Sequence, residues 1–271
     1  MMPESSKRLT VLSLGWGVQS TTLAAMVALK ELPPVDYAIF ADTTHEGQGT
    51  YAHAAKWTPW LEEHGVKVVT VQGNRTEVVR EDWKDSVMIP AFTVNSETGK
   101  AGQVQRQCTH DWKIVAIRRF IRGLLPNPKP GQVESWQGIS LDEWKRMRTS
   151  DVAYITNVYP LVERRITREA CVAWLQAHGL DVPPKSACTF CPYKSLGAWR
   201  DLKRQGGPDW QEALAVDDAI RNKRRKHGHD LFLHPARIPL AEAVRIPEDV
   251  GAHQFGLFEA EQPCDSGYCF T

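Results

Sequence analysis

No stretch of the sequence approaches the roughly 20 consecutive apolar residues that a membrane-spanning helix needs, so no membrane partner is expected. Net charge is nearly absent as well: 33 Lys and Arg against 32 Asp and Glu leave +1. No global field draws the chain to nucleic acid, and any such attraction has to come from local patches. Met1–Thr10 is polar and charged rather than an apolar leader. The six cysteines are too sparse in 271 residues for a small secreted disulfide framework. Together these absences lead us to expect a cytoplasmic protein whose reduced thiols are available for metal or redox work. With 42% hydrophobic residues the chain has ample material for one large domain, or a domain with a smaller appendage.

A more local absence lies in the stretch around which the chain is organised, LTVLSLGWGVQSTTLAAMVALKE at 9–31. The apolar run Leu9–Leu14 ends in Gly15-Trp16-Gly17, and a helical pattern follows at once, with Val18, Leu23, Met26 and Val27 on one face. Ser20, Thr21 and Thr22 fall in the first turn. A strand, a glycine turn and a helix start bring unpaired amides and the positive helix pole to one point, which suits a phosphate. Within this stretch no lysine precedes Lys30, so the GxxxxGK[ST] phosphate loop is excluded. The dinucleotide fingerprint is nearly met by Gly15, Gly17 and Ser20, with Asp42 near the ribose-binding position. These residues alone leave that reading open.

The chain then alternates. Residues 35–42 (VDYAIFAD) read as a second buried strand ending in the polar tip Asp42-Thr43-Thr44-His45-Glu46. Tyr51–His64 reads as a helix kinked at Pro59, and Val66–Val71 as a third strand. This rhythm argues for a doubly wound sheet. Residues 84–107 lose periodicity and read as a long loop before a helix with Ile114, Ile117, Phe120 and Ile121 inward. Lys113, Arg118, Arg119 and Arg122 give that helix a basic side, suited to a phosphate lid, a nucleic-acid contact or plain solvation. Val133–Ile139 is a fourth apolar run, and Thr167 opens a helix closed by Gly179. Cys188 and Cys191 form a CxxC, late in the chain and after a proline-rich approach, which favours metal ligation over a thioredoxin-type site. Cys171 reads as a packing residue. Arg221–Lys226 carries five cations in six residues, supplemented by Arg200, Lys203 and Arg204, enough to hold polyphosphate locally or simply to face solvent.

Several of these segments resemble one superfamily. Ser13–Thr21 is similar to the pyrophosphate loop (PP-loop) of the adenine-nucleotide alpha-hydrolase superfamily, closest to the branch of phosphoadenylyl-sulfate (PAPS) reductases, with Val18 and Gln19 where Lys and Asp are usual. Asp42-Thr43 resembles that branch's second nucleotide motif. Gly138–Arg146 resembles its GIRxDExxxR segment, with Ser140 in place of an arginine. Arg106–Lys113 resembles its RxCTxxxK segment, which is paired with a downstream CxxC. The five motifs occur in the family's order over residues 9–200, and a dehydrogenase predicts neither Cys108 nor the late CxxC.

The resemblance implies a mostly parallel, doubly wound α/β sheet of the Rossmann-like PP-loop type. It places a nucleotide-binding domain at 1–180 and a cysteine-bearing helical extension at 181–271. It implies nucleotide contacts from Ser13, Gly15, Gly17, Gln19, Ser20, Thr21, Asp42, Thr43 and Gly138. Catalytic roles fall to Cys108, Asp142 and Arg146. Metal ligands would be Cys108, Cys188 and Cys191, holding a [4Fe-4S] cluster, with zinc as the rival. The implied cofactors are ATP, or PAPS, with Mg²⁺. The implied reaction is adenylation of a substrate oxygen followed by sulfur transfer, with tRNA or DNA as acceptor and a sulfur donor as partner. The alternatives are a sulfonucleotide reductase, using a thioredoxin-like reductant and Cys264 or Cys269 of the tail, and a non-catalytic nucleotide-binding module.

Overall fold

The computed structural model describes residues 8–74, 76–79, 86–224 and 227–247. In chain order the elements begin with β1 (Leu9–Ser13), α1 (Val18–Ala28), β2 (Tyr37–Asp42), α2 (Gln48–Glu63) and β3 (Val68–Gln72). Next come β4 (Ala91–Asn95), β5 (Ala101–Val104), a π-helical segment Thr109–Ile114 and α3 (Val115–Leu124). Then follow β6 (Val133–Trp136), a 3-10 segment Leu141–Arg146, β7 (Ile155–Val158), α4 (Pro160–Glu163) and α5 (Arg168–Ala177). The chain ends, as described, with α6 (Leu196–Gln205), α7 (Gly207–Ile220), β8 (His229–Phe232) and α8 (Leu240–Ala243). Among the described residues, no helix is long and apolar enough to cross a membrane.

Unit 1 comprises residues 8–74 and 112–186. Its sheet has the order β3-β2-β1-β6-β7, with every pair parallel. Successive strand residues face opposite sides, and both sides are buried. Leu12, Phe40 and Trp136 join a core with Leu23, Met26, Leu161 and Leu175. Val11, Ile39 and Val133 join a second core with Ile121 of α3 and Tyr154. Covering both faces explains why the strands read as unbroken apolar runs. All eleven residues of α1 are buried, rather than one face of it. The reason is that α2 and α5 residues, Leu61, Cys171 and Leu175, close over it, and Ala24, Ala25 and Ala28 permit the approach. Chain order leaves β1 toward β2 on one side and reaches β6 on the other. This reversal opens a crevice beyond the carboxyl ends of β1 and β6, where doubly wound sheets bind ligands.

Unit 2 comprises the described residues between 76 and 111 together with 187–247. The expected division at 180/181 is therefore redrawn, because the segment before Trp112 packs with the later chain. The long loop expected at 84–107 is in fact a hairpin, β4 with β5, extended by β8 into an antiparallel sheet β5-β4-β8. Asn95, Ser96 and Gly99 mark its turn. Asn95 Oδ1 accepts from the Glu97 and Thr98 amides at 3.1 and 2.8 Å, and Gly99 takes φ +67°. The extension expected to be helical thus contributes β8 as well as α6, α7 and α8. Cys264 and Cys269 lie outside the described residues.

Candidate functional site

The site in unit 1 is built on the turn from β1 into α1. Trp16 has φ +57° and is buried, its ring edge-on to His53 of α2 at 5.9 Å between centroids. Ser186 Oγ donates to the Gly15 carbonyl at 2.6 Å and braces the turn. Gly17 is the N-cap of α1 and the half-buried residue of an otherwise buried loop. No side chain caps the helix, so the amides of its first turn have no side-chain acceptor. The Thr21 amide already donates to Gly17 O at 2.9 Å, and Ser20 Oγ donates to the same carbonyl at 3.3 Å. Thr21 Oγ1 is buried and has no hydrogen-bond partner. A buried hydroxyl left unmatched costs about 1–3 kcal/mol, and a phosphate oxygen would satisfy it.

Gln19 was expected at the nucleotide. Its amide is instead a crosslink: Nε2 donates to Glu143 Oε2 at 2.9 Å and to Ser140 Oγ at 3.4 Å, and Oε1 accepts from Arg168 at 3.1 Å. Glu143 also pairs with Arg146 at 2.7 Å, both side chains nearly buried. Burial pushes the Glu143 carboxyl above its ordinary value even beside that guanidinium. Asp142 Oδ1 accepts the Arg168 amide at 2.9 Å at the start of α5. Asp142 and Arg146, expected to orient substrate, therefore have structural partners that fix the first turn of α1 to the 3-10 segment and α5. Gly138 packs on the same turn: a Cβ there would meet Ser20 N at 2.9 Å. Its glycine is a requirement of close approach rather than of ligand contact.

At the tip of β2, Asp42 Oδ1 accepts from the Thr44 amide and the Tyr51 hydroxyl, both at 2.7 Å, and Oδ2 accepts from Gln72 at 3.0 Å. Both oxygens hold the tip together. Thr43 is fully buried, and its hydroxyl lies 3.4 Å from Glu46 Oε1. Sequence reasoning missed the pair beside it. Lys113 donates to Glu46 Oε1 at 2.9 Å, with side chains 4% and 0% exposed. Glu46 Oε2 has no hydrogen-bond partner. The signal was present in the sequence, since Glu46 closes the polar tip and Lys113 closes the RxCTxxxK segment. Lys113 also lines an open pocket of about 100 Å³ with Ser13, Ser135, Gln137, Arg118 and Arg148. Ser13 thus belongs both to the loop and to a pocket wall.

The thiols are in unit 2. None of the described cysteines forms a disulfide. Cys191 N donates to Cys188 O at 3.1 Å, so the CxxC closes a tight turn, and Thr189 Oγ1 donates to Glu212 at 2.6 Å. Among the described residues, however, no three His, Cys, Asp or Glu side chains are gathered as a metal-holding group. The three-thiolate set Cys108, Cys188 and Cys191 does not fit a cluster as it stands. Cys171 is buried in the unit 1 core, and burial lifts its thiol to about 11. Within the basic segment, Arg221 is spent on structure: it pairs with Asp217, donates to Leu231 O at 3.0 Å and stacks on Phe232 at 4.0 Å. Arg200 bonds the Val244 and Ile246 carbonyls. Arg225 and Lys226 lie outside the described residues.

No protein-family model matches the sequence, and no curated protein does. Among the solved structures that are similar to it are two of known chemistry. One is a PAPS reductase from Candida auris in complex with phosphate, at TM-score 0.42 and 14% identity, covering 64% of this chain and 74% of that one. The other is the U34-tRNA thiolase NcsA from Methanococcus maripaludis with its [4Fe-4S] cluster, at TM-score 0.41 and 13% identity, covering 92% of this chain and 74% of that one.

Proposed function

We propose that this chain is a PP-loop enzyme that binds ATP at the turn from β1 into α1, adenylates an oxygen of an acceptor and exchanges that oxygen for sulfur, the acceptor being a nucleic acid. The observation that carries the reading is the first turn of α1: a helix start without a side-chain cap, at the carboxyl edge of a parallel sheet, holding the buried unmatched hydroxyl of Thr21. Amides and a hydroxyl in that setting stabilise charge developing on phosphate oxygens.

In the first half-reaction the acceptor oxygen attacks the α-phosphorus, the bond to the bridging oxygen breaks and pyrophosphate leaves. In the second, a sulfur nucleophile from a donor attacks the acceptor carbon, and the carbon–oxygen bond breaks as AMP departs. Lys113, held by Glu46 and lining the pocket beside Ser13, supplies a fixed positive charge. Gln19, Glu143, Arg146 and Arg168 position the loop rather than touch the nucleotide. Mg²⁺ would arrive on the phosphates, for which one or two carboxylates and the phosphate oxygens suffice. Cys108, Cys188 and Cys191 are the sulfur-handling candidates of unit 2, and no step is assigned to a cluster.

The test is pyrophosphate release from ATP with and without nucleic acid. Acceptor-dependent release of pyrophosphate and AMP supports the reading. Sulfite formed from PAPS with thioredoxin would replace it with sulfonucleotide reduction, and ATP bound without turnover would reduce it to a binding module. Gly17→Val should abolish nucleotide binding with the fold retained, because a branched side chain fills the opening at the cap. Unchanged affinity would remove the loop from the site.

A further inference from the structure

In unit 1, three arginines of α3 border one hollow, Arg118 among them paired with Asp151. Arg119 and Arg122 of α3 are exposed, and with Arg118, Val152 and Tyr154 they line an open hollow. Arg118 also lines the pocket at Ser13, so hollow and pocket share a wall. The same pocket is lined by Arg148, whose guanidinium is pinned by the Lys145 and Met147 carbonyls, both at 2.9 Å. Four residues before it stands Trp144, 56% exposed, with exposed Lys145 beside it. The pocket itself holds an unspent acceptor: Gln137 is 7% exposed, its Nε2 donates to Ser135 Oγ at 2.9 Å, and its Oε1 has no partner.

We propose that this surface is the acceptor site, and that it takes a single-stranded stretch of nucleic acid. One unstacked nucleotide enters the pocket, where Gln137 Oε1 accepts from an N–H on its base edge. The flanking phosphates lie over Arg119, Arg122 and Arg148, and a neighbouring base stacks on Trp144. An exposed aromatic ring set among cations serves single strands, because a duplex keeps its base faces covered. Ser13, shared by loop and pocket, puts that nucleotide next to the α-phosphate. The inference rests on the adenylation reading and specifies its acceptor.

The experiment is fluorescence anisotropy with a labelled single-stranded RNA of about 12 nucleotides, a duplex of the same sequence and polyglutamate as competitor, with ATP binding read in the same samples. The wild type should bind the single strand in preference to the duplex, more weakly as salt rises. The double variant Arg119→Glu/Arg122→Glu should lose at least tenfold, and Trp144→Ala about fivefold or more. Equal binding by both variants and the wild type, equal binding of duplex, or full displacement by polyglutamate overturns the site. ATP bound without RNA removes this acceptor surface and leaves the nucleotide reading standing. RNA bound with the expected losses, but no ATP, removes the nucleotide reading and leaves the surface.

Discussion

A buried carboxylate–cation pair in each unit, Asp217 with Arg221 and Glu46 with Lys113, is finished differently. In unit 2, Asp217 Oδ1 accepts the Leu233 amide at 2.9 Å, and Oδ2 accepts the Leu240 amide at 2.9 Å while pairing with Arg221. Every oxygen is used, so the carboxylate acts as a clamp on the turn after β8. In unit 1, Glu46 pairs with Lys113 through Oε1, while Oε2 has no partner. Thr21 and Gln137 repeat the pattern in the same unit. A buried polar atom left unmatched lowers stability; unit 2 also leaves Trp199 Nε1, Arg224 Nε and His229 Nδ1 unmatched, so the difference lies in the carboxylates, where Asp217 is fully used and Glu46 is not.

The largest effect should come from isolating the unit 1 carboxylate. Lys113→Met leaves Glu46 charged, fully buried and alone, which costs about 3–5 kcal/mol. A fall of that size in the denaturant-derived stability is expected, and Lys113→Met/Glu46→Gln should recover most of it. Asp217→Asn should cost less, about 1–3 kcal/mol, since one amide loses its acceptor. If the two single variants cost the same, the distinction between spent and unspent carboxylates fails.

Next in size is Gly138→Ala. The added Cβ meets Ser20 N at 2.9 Å and Ser20 Cα at 3.1 Å, both backbone, so the strand end or α1 must shift. Overpacking of this kind costs about 1–3 kcal/mol. Gly17→Ala is the control: its Cβ would lie 3.8 Å from Ser186 Cβ, with φ at −87°, and stability should hold. Thermal unfolding of the two variants separates packing from ligand access.

These positions also show what the sequence carried. The strand, turn and helix of residues 9–28 were legible because apolar run, glycines and helical spacing are contiguous. The doubly wound sheet was legible from the βαβ rhythm, but its strand order was not. The hairpin was not legible, because AFTVN and AGQV are short and their turn residues mimic a loop. The edge strand β7, four residues long, gave no pattern. The role of Gln19 was hidden because its partners are 121, 124 and 149 residues away. Asp142, Arg146 and Asp42 stand out in the sequence as polar residues after apolar runs, but residue type alone does not reveal the partners Arg168, Glu143 and Tyr51.

Acid should act on both units through one histidine each, with a smaller effect. Burial holds His53 of unit 1 down to about 4, against a minor opposing pull from Asp181. Burial, with repulsion from Arg200, does the same for His234 of unit 2. Both folded values lie below the unfolded one. The unfolded chain therefore takes up the proton first as pH falls, and stability present above about pH 6.5 is lost progressively toward pH 4. By about pH 5.5 each residue should account for about 1 kcal/mol. His53→Phe should flatten the acid loss in unit 1 and leave that of unit 2, as read by hydrogen exchange. Because His53 packs on Trp16, the wild-type tryptophan emission should change over the same range.

The smallest change in stability is the one that most directly weighs site against scaffold. Thr21→Val keeps the shape of the side chain and removes the unmatched hydroxyl. Were Oγ1 part of the scaffold, its loss would destabilise the fold. Since it has no partner, the apo variant should be as stable as the wild type or more so, by less than about 1 kcal/mol. Nucleotide affinity should move the other way, weakening about three- to tenfold, the worth of one hydrogen bond to a phosphate oxygen. A calorimetric titration beside a melting curve reads both quantities on one sample. Lower stability with unchanged affinity would mean that the first turn of α1 is an ordinary helix start.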